Sequence, residues 1–256
     1  MTRVLSGVAL AGAALAAILF LPLAALRIVA CGVAVLAAHE YVRVAGSAAG
    51  VSQILLAAAV VAACVFMSAG FAIDPVLLVV VGLAWVAVEV LFLGRTMHQA
   101  GVALFGPLYI GVPLGMLVAI QASLGWQGTL LLIATIIVSD SAQYYSGRTF
   151  GRRPLAPSIS PKKTIEGAVG GVLFGTLFMA LGGPRLFPDL SIPWLWLGLA
   201  VVLLGICGDL FESRLKRTAG MKDSSTLIPG HGGILDRIDA LLFAIPAFYL
   251  LLRAAA

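Results

Sequence analysis

The sequence predicts an all-α, polytopic integral membrane protein with about nine transmembrane helices and charged cytoplasmic loops. Hydrophobic residues make up 61% of the 256 residues and charged residues 11%, against about 45–50% and about 25% in soluble domains. The mean hydropathy is +1.10. So few charges could not cover the surface of a soluble globule, and a disordered chain requires low hydrophobicity and high charge. Both of those classes are therefore excluded.

Nine apolar segments approach the length of about 20 residues that a helix needs to cross the hydrocarbon core. They lie at 4–22, 24–38, 52–70, 75–94, 101–121, 127–146, 165–183, 194–212 and 238–253. Long apolar runs of this kind are helical, because strands cross lipid only within a closed barrel. Arg27 is the charge that divides the first long apolar stretch into two spans, so a count of eight remains open.

The basic residues indicate how the chain is oriented. Loops 147–164 and 213–237 together carry 10 of the 16 Lys and Arg residues, whereas the connections near 71–74 and 122–126 carry none. Two spans separate the basic loops, so both lie on one face, which the positive-inside rule makes cytoplasmic. Nine spans then place the N-terminus inside and the C-terminus outside. The net charge of +5 suits anionic lipid headgroups of the plasma membrane better than nucleic acid.

The charged residues also divide the chain by function. Segments 139–167 and 208–239 hold 17 of the 27 charged residues, which is far more than an even distribution would place there. We therefore predict a scaffold of transmembrane helices at 1–125 and a catalytic transmembrane region at 126–256.

The first charged segment, 207–217, reads CGDLFESRLKR and closes an apolar helix. Asp209 and Ser213 are four residues apart and share a helix face. A carboxylate and a hydroxyl on one face could bind Mg²⁺, with phosphate oxygens completing the coordination. The alternative is that the acids at this helix end pair only with Arg214 or Lys216.

The second charged segment, 222–239, reads KDSSTLIPGHGGILDRID. Its glycines flank His231 and predict a tight turn at which backbone can closely approach a ligand. His231 could carry a proton, bind phosphate or only stabilise the turn. Asp236 and Asp239 open the last span on one helix face, and helix capping is a sufficient explanation for Asp239.

The third charged segment, 139–167, follows the sixth span. Asp140 ends that span, and basic residues then alternate with Gly147 and Gly151 before Lys162 and Lys163 precede the next span. Basic side chains beside glycines are typical of polyphosphate binding. Contact between a cytoplasmic loop and anionic lipid is the simpler alternative.

A few acids and histidines lie outside these segments. Glu89 precedes Arg95 closely enough to predict an ion pair near the membrane interface, and Glu40 ends the second span beside His39. Neither these residues nor His98 is predicted to take part directly in chemistry.

Segment 213–239 resembles the signature of the phosphatidate cytidylyltransferase (CDP-diglyceride synthase) family. It contains, in order, a Ser, a Lys-Arg pair, a Lys-Asp pair, a Pro-x-His-Gly-Gly turn and Asp-Arg-x-Asp. The run from Asp140 to Arg152 and the sequence SPKKTIEG at 160–167 also resemble the family. Gln143 and Ile165 depart from the expected Ala and aromatic residue, and neither departure removes a charged group.

The resemblance implies that CTP and phosphatidic acid react to give CDP-diacylglycerol and pyrophosphate, with Mg²⁺ in a paired-metal centre and K⁺ as a candidate second cation. It implies metal ligation by Asp209, Ser213 and Asp236. These three are joined as catalytic residues by Lys222, Asp223 and His231. Substrate binding would involve Asp140, Lys162, Lys163, Lys216, Arg217 and Arg237. The family also implies a homodimer in the lipid bilayer.

Two other functions remain to be weighed at this point. A cytidylyltransferase acting on another lipid phosphate, such as an ether-linked one, would share all of these motifs. A transporter would place charges near the centres of its spans, whereas the charges here cluster at helix ends and in loops.

Overall fold

The computed structural model of the chain describes residues 2–45, 53–70, 75–228, 230 and 232–255, and these residues are mostly helical. The described elements are, in order, α1 (Thr2–Phe20), α2 (Leu23–Val44), α3 (Gln53–Ser68), α4 (Pro75–Ala87) with its π-helical continuation Val88–Phe92, α5 (Met97–Gly106) with its π-helical continuation Pro107–Gly111, α6 (Val112–Phe150), β1 (Pro154–Ala156), β2 (Ser160–Thr164), α7 (Ile165–Leu186), α8 (Trp194–Thr218) and α9 (Leu235–Ala255).

Every predicted span overlaps one of these helices, but several helices extend beyond the predicted limits. Helix α6 continues to Phe150, α8 continues to Thr218, and α9 begins at Leu235. The predicted loops 147–164 and 213–237 are therefore shorter in the structure. Hydropathy detects the part of a helix that lipid can cover, whereas Arg, Lys, Glu and Gln extend a helix into water without difficulty.

The fifth and sixth predicted spans are separated at a glycine. Within Val112–Phe150, Gly125 adopts φ 68° and ψ −169°, which is not helical, and helical segments lie on either side of it. The predicted connection at 122–126 includes this residue. Only glycine adopts such a backbone conformation without strain, so Gly125 provides the break.

The predicted all-α class is confirmed, and the helical chain also contains one short β-hairpin. Strands β1 and β2 form a two-stranded antiparallel hairpin in which Pro154 pairs with Thr164 and Ala156 with Ser160. These strands are too short for an alternating pattern to be recognised in the sequence, and hydropathy assigns the region only to a loop. The hairpin, whose pairing shifts register between Pro154 and Ala156, places Lys162 and Lys163 on β2 just before α7 begins.

The chain forms two compact units. The first consists of Met1–Ala119 and Thr218–Asp236, and the second of Ile120–Arg217 and Arg237–Ala256. Residues 218–236, which contain the glycine-rich turn and are called the motif segment below, thus belong to the same unit as the N-terminal helices. Division into a scaffold and a catalytic region is a statement about function and stays a prediction.

Four helical runs in the described part of the chain are long and apolar enough to cross a membrane. They are Leu23–Val44, Met97–Phe150, Ile165–Leu186 and Trp194–Thr218. Large apolar side chains are exposed on the helices, including Leu83 at 67% and Phe92 at 80%. Water would disfavour such surfaces, whereas lipid tails solvate them. The chain is accordingly a multi-pass helical membrane protein.

Glycines allow helices within each unit to approach closely. In the first unit, side chains at Gly111 or Gly115 would overlap backbone carbonyls of α3. In the second unit, a Cβ on Gly167 of α7 would lie 2.8 Å from the Gln143 carbonyl oxygen of α6. A Cβ on Gly198 of α8 would lie 2.8 Å from the Met179 side chain. Small residues at such contacts are typical of helices that associate in lipid.

Candidate active site

The last turns of α8 carry an acid and a hydroxyl on one face, as the sequence predicts. Asp209 follows the apolar part of the helix, and Ser213 lies one turn later. The Ser213 hydroxyl lies 3.4 Å from Asp209 Oδ1, to which it donates a hydrogen bond. Both side chains are half-buried. Two hard oxygen donors are therefore adjacent at the polar end of a membrane helix.

Lys163 is the cationic partner of Asp209. Its ammonium group, on β2, forms an ion pair with Asp209 Oδ2, and the two side chains are 23% and 27% exposed. Lys162, its neighbour on β2, is exposed. Hydropathy and spacing along α8, which suggested Arg214 or Lys216 as partners of Asp209, could not predict this contact from the hairpin.

The other basic residues of α8 also make contacts within the second unit. Lys216 forms an ion pair with Glu212, whose side chain is fully buried. Arg217 donates from Nε to the Ile159 carbonyl, 3.3 Å away in the hairpin turn. Glu212 and Lys216 therefore follow the simpler alternative of pairing along the helix. Arg217 holds the hairpin near the end of α8.

Two more carboxylates of the second unit act electrostatically on Asp209. Asp140 and Asp239 both lie close enough to Asp209 and to each other for their charges to interact, with Lys163 acting on Asp140 and Lys216 on Asp239. Gln143, one of the two departures from the family pattern, donates to Asp140 Oδ1 at 3.1 Å. Mutual repulsion among three carboxylates makes this cluster receptive to a cation.

The chemistry of these donors suits Mg²⁺. The described residues include no group of three or more His, Cys, Asp or Glu already arranged to hold a metal. Mg²⁺ nevertheless prefers oxygen ligands and usually keeps several waters together with substrate phosphates, so one or two carboxylates suffice. Asp209 and Ser213 fit that requirement.

In the first unit, Asp236 organises the glycine-rich motif segment. Its Oδ2 atom accepts hydrogen bonds from the Ser224 amide at 2.9 Å and the Gly233 amide at 2.7 Å, and it lies 2.9 Å from the Ser224 hydroxyl oxygen. The Ile228 amide donates to the Gly232 carbonyl at 2.9 Å and closes the turn. The predicted tight turn is confirmed, and Asp236 joins its two ends.

Glu40 is a second anchor of the same segment, and sequence reasoning assigned it no role. Its carboxylate is 2% exposed and accepts four hydrogen bonds. The donors are the Ser225 hydroxyl at 2.7 Å, the Ser224 hydroxyl at 2.8 Å, the Leu235 amide at 2.8 Å and the Ile234 amide at 3.0 Å. The signal in the sequence was an acid at the end of an apolar span, which is unfavourable unless the acid is bonded.

Two consecutive glycines make this arrangement sterically feasible. Gly232 has φ 78°, and a Cβ there would lie 2.5 Å from Asp236 Oδ2. A Cβ on Gly233 would overlap both the Ser224 hydroxyl and the Glu40 carboxylate. The close backbone approach predicted for the turn therefore occurs, and its partner is the chain's own carboxylate.

Glu166 plays a similar part in the second unit. Its carboxylate accepts hydrogen bonds from the amides of Arg152 and Arg153 at 3.0 and 3.2 Å and from Arg153 Nε at 3.1 Å. An open cavity of about 540 Å³ lies beside these three residues. Gly147 and Gly151, predicted to assist phosphate binding, both face Thr164 closely. Their smallness therefore lets the end of α6 approach β2 closely.

The remaining predicted site residues are placed as follows. Lys222, Asp223 and Arg237 are exposed. His231 lies outside the described residues. The structure brings together Asp209, Ser213, Lys163 and the charges of Asp140 and Asp239 in one unit, and Asp236 and Ser224 in the other. The catalytic and metal-binding roles stay predictions.

The fold and these side chains define a class: a multi-pass helical membrane protein whose acids and bases gather at helix ends and suit phosphate and metal chemistry. The chain belongs to the cytidylyltransferase family, whose pattern it matches over residues 1–255. The family assignment made from motifs is therefore confirmed.

Curated relatives agree with this assignment. The chain is 47% identical over 125 residues to the phosphatidate cytidylyltransferase of Aquifex aeolicus, in a match covering 49% of this chain and 47% of the relative. It is 36% identical over 162 residues to that of Bacillus subtilis, covering 61% and 60%. It is 39% identical over 173 residues to that of Pseudomonas aeruginosa, covering 62% and 63%. The chain thus spans less than two thirds of the length of these relatives.

Proposed function

We propose that the protein transfers the cytidylyl group of CTP to phosphatidic acid, giving CDP-diacylglycerol and pyrophosphate. The observation that carries this proposal is the grouping of Asp209, Ser213 and Lys163, within electrostatic reach of Asp140 and Asp239, in a chain of the cytidylyltransferase family. The names of the relatives support the same substrates.

The chemistry requires charge neutralisation more than activation of a nucleophile. A phosphate monoester has a second pKa near 6, so the phosphatidic acid headgroup is mostly dianionic at neutral pH. One of its oxygens attacks the α-phosphorus of CTP, and the bond from that phosphorus to the pyrophosphate leaving group breaks. No side chain needs to remove a proton. Lys163 lies beside the acidic cluster and would balance phosphate charge there, with Lys162, Lys216, Arg217, Lys222 and Arg237 as further proposed phosphate contacts.

Asp209 and Ser213 would hold Mg²⁺ in the second unit, and Asp236 is the proposed ligand in the first. Bound Mg²⁺ would stabilise the charge that develops on the phosphate oxygens. Around it, Lys163 would keep Asp209 oriented, and Gln143 would orient Asp140. A second cation such as K⁺, and roles for Asp223 and His231, remain part of the proposal.

The proposed topology has nine spans, a cytoplasmic N-terminus and both charged loops on the cytoplasmic side of the plasma membrane. Two contacts within the first unit support it. Arg27 donates to the Ser68 carbonyl at 3.1 Å, and the proposed topology puts both ends of that contact on the outer side. Glu40 contacts Ser224, and both would lie on the cytoplasmic side. We also propose a homodimer, as the family resemblance implies.

Pyrophosphate release by purified protein in detergent tests the reaction. With Mg²⁺, CTP and dioleoyl phosphatidic acid, we expect release that requires the lipid phosphate and falls at least tenfold when ATP replaces CTP. Diacylglycerol in place of phosphatidic acid should give none. Equal rates with ATP and CTP, or no release with any lipid phosphate, would contradict the proposal. A rate much higher with an ether-linked phosphatidic acid would identify the related enzyme instead.

A further inference from the structure

We propose that Glu40 is a positioning residue for the reaction, because it fixes the segment that presents Asp236. This inference rests on the proposed function for its kinetic consequences, but its structural part concerns the first unit alone. Glu40 lies near the end of α2, and its four hydrogen-bond donors all come from the segment between Ser224 and Leu235. The carboxylate thereby holds both ends of the glycine-rich turn.

The bonding pattern requires a carboxylate at this position. Each oxygen accepts one hydroxyl and one backbone amide: Oε1 from Ser225 and Ile234, and Oε2 from Ser224 and Leu235. A carboxylate accepts on both oxygens, whereas a carboxamide accepts on one and donates on the other. In either orientation, the NH₂ group of a glutamine would face a backbone N–H. Both groups are donors, and a backbone N–H cannot become an acceptor.

Glu40 reaches Asp236 through a single side chain. The Ser224 hydroxyl lies 2.8 Å from Glu40 Oε2 and 2.9 Å from Asp236 Oδ2. The Gly233 amide also donates to Asp236 Oδ2, and the backbone of Gly233 is close to both Glu40 and Ser224. Fixing Ser224 and the start of α9 therefore fixes the orientation of the Asp236 carboxylate.

Glu40 is not simply a charge left at the membrane interface, because four hydrogen bonds compensate the burial of its carboxylate. A charged side chain that is 2% exposed is tolerated only when its hydrogen-bonding capacity is used. Here that capacity is used on one segment of the chain, which leads directly into the predicted site residue Asp236. Holding that segment in place is the function that the geometry assigns.

Two variants test the proposal, each with a matched control. Glu40→Gln removes the acceptor pattern, and its control is Glu89→Gln. Glu89 is a similarly buried acid of the same unit that pairs with Arg95 at 2.6 Å. Ser224→Ala removes the hydroxyl that lies between Glu40 and Asp236 but keeps the Ser224 amide bond to Asp236, and its control is Thr226→Ala, at an exposed position of the same segment. Should Glu40→Gln fail to fold, Ser224→Ala decides the question, because it leaves Glu40 three of its donors.

The measurements are kcat, KM for CTP, the Mg²⁺ concentration for half-maximal rate, and amide hydrogen exchange over residues 224–236 without Mg²⁺. Glu40→Gln and Ser224→Ala should lower kcat at least tenfold and raise the half-saturating Mg²⁺ concentration at least threefold. Exchange of the Gly233–Leu235 amides should be at least tenfold faster in Glu40→Gln. Both controls should stay within twofold of the unmodified protein in kcat and in Mg²⁺ dependence.

Unchanged kcat and Mg²⁺ dependence in folded Glu40→Gln and Ser224→Ala, with a loss of thermal stability like that of Glu89→Gln, would overturn the proposal and leave Glu40 a purely structural residue. Unchanged exchange in Glu40→Gln would overturn it as well. Failure of the proposed function can be distinguished from failure of this inference. In the first case the unmodified protein would lack activity with CTP and phosphatidic acid, and the exchange measurement would still report on Glu40.

Discussion

Replacing Asp209 by Asn distinguishes two roles for this residue, that of a metal ligand and that of a partner in an ordinary ion pair. The change keeps the side-chain volume and leaves an oxygen to accept the Ser213 hydroxyl, but it removes the charge that faces Lys163. The two charged side chains are only about a quarter exposed, so breaking their pair would cost more folding stability than the roughly 0.2–1 kcal/mol typical of exposed pairs. If pairing were the only role of Asp209, that cost would appear in thermal unfolding, and the rate of the folded protein would change little.

A role in holding Mg²⁺ predicts a much larger effect. A loss of about 4 kcal/mol of transition-state stabilisation corresponds to about a thousandfold decrease in kcat, and that is the decrease we expect. The assay is the initial rate of pyrophosphate release at saturating CTP and phosphatidic acid over a range of Mg²⁺ concentrations. Asp189→Asn, at an exposed position between α7 and α8, should change nothing.

A double-mutant comparison with Lys163→Gln sharpens the result. If Asp209 served only Lys163, then Asp209→Asn, Lys163→Gln and the double variant would all lose the same small amount. We expect Asp209→Asn to be far more damaging than Lys163→Gln. A well-expressed Asp209→Asn protein with near-normal kcat at low Mg²⁺ would refute the reasoning.

Two further predictions follow from the structure. Gly233→Ala should lower thermal stability and activity markedly, because its Cβ would overlap the Glu40 carboxylate, whereas Gly32→Ala in α2, with open space around its Cβ, should leave both intact or slightly raise stability. Thermal unfolding and pyrophosphate release measure this, and equal behaviour of the two variants would show that the close contact is unimportant. In a cysteine-free background, single cysteines at the exposed positions Ser158 and Thr226 should both react with impermeant maleimide only from the cytoplasmic side. Labelling of either from outside would contradict the proposed topology.

The sequence predicted most of the helices because lipid imposes a simple requirement. A segment that crosses the bilayer must be apolar over about 20 residues, so hydropathy alone located segments that are helical in the structure. Spacing along one helix likewise predicted that Asp209 and Ser213 share a face. The Asp236 turn was recognisable from its glycines, whose conformational freedom is a local property of the chain.

Contacts between distant parts of the chain could not be predicted in this way. Lys163 reaches Asp209 across 46 residues, and Glu40 reaches Ser224 across 184. Such pairings depend on how helices pack, which neither hydropathy nor helix periodicity describes. The β-hairpin was missed for a related reason, since two short strands are defined by their pairing and not by a pattern within either one.

The long separation between Glu40 and its donors has a consequence for how the protein is made. Ribosomes add about 5–20 residues per second, so roughly 10–40 s pass between synthesis of Glu40 and synthesis of Ser224. During that time α2 carries a carboxylate whose native donors do not yet exist, and such a group is costly to bury. The end of α2 must therefore stay hydrated or be shielded by the insertion machinery until the C-terminal segment arrives. A chain interrupted before residue 224 would display that uncompensated acid, which is a chemical mark by which cellular quality control could distinguish unfinished chains from finished ones.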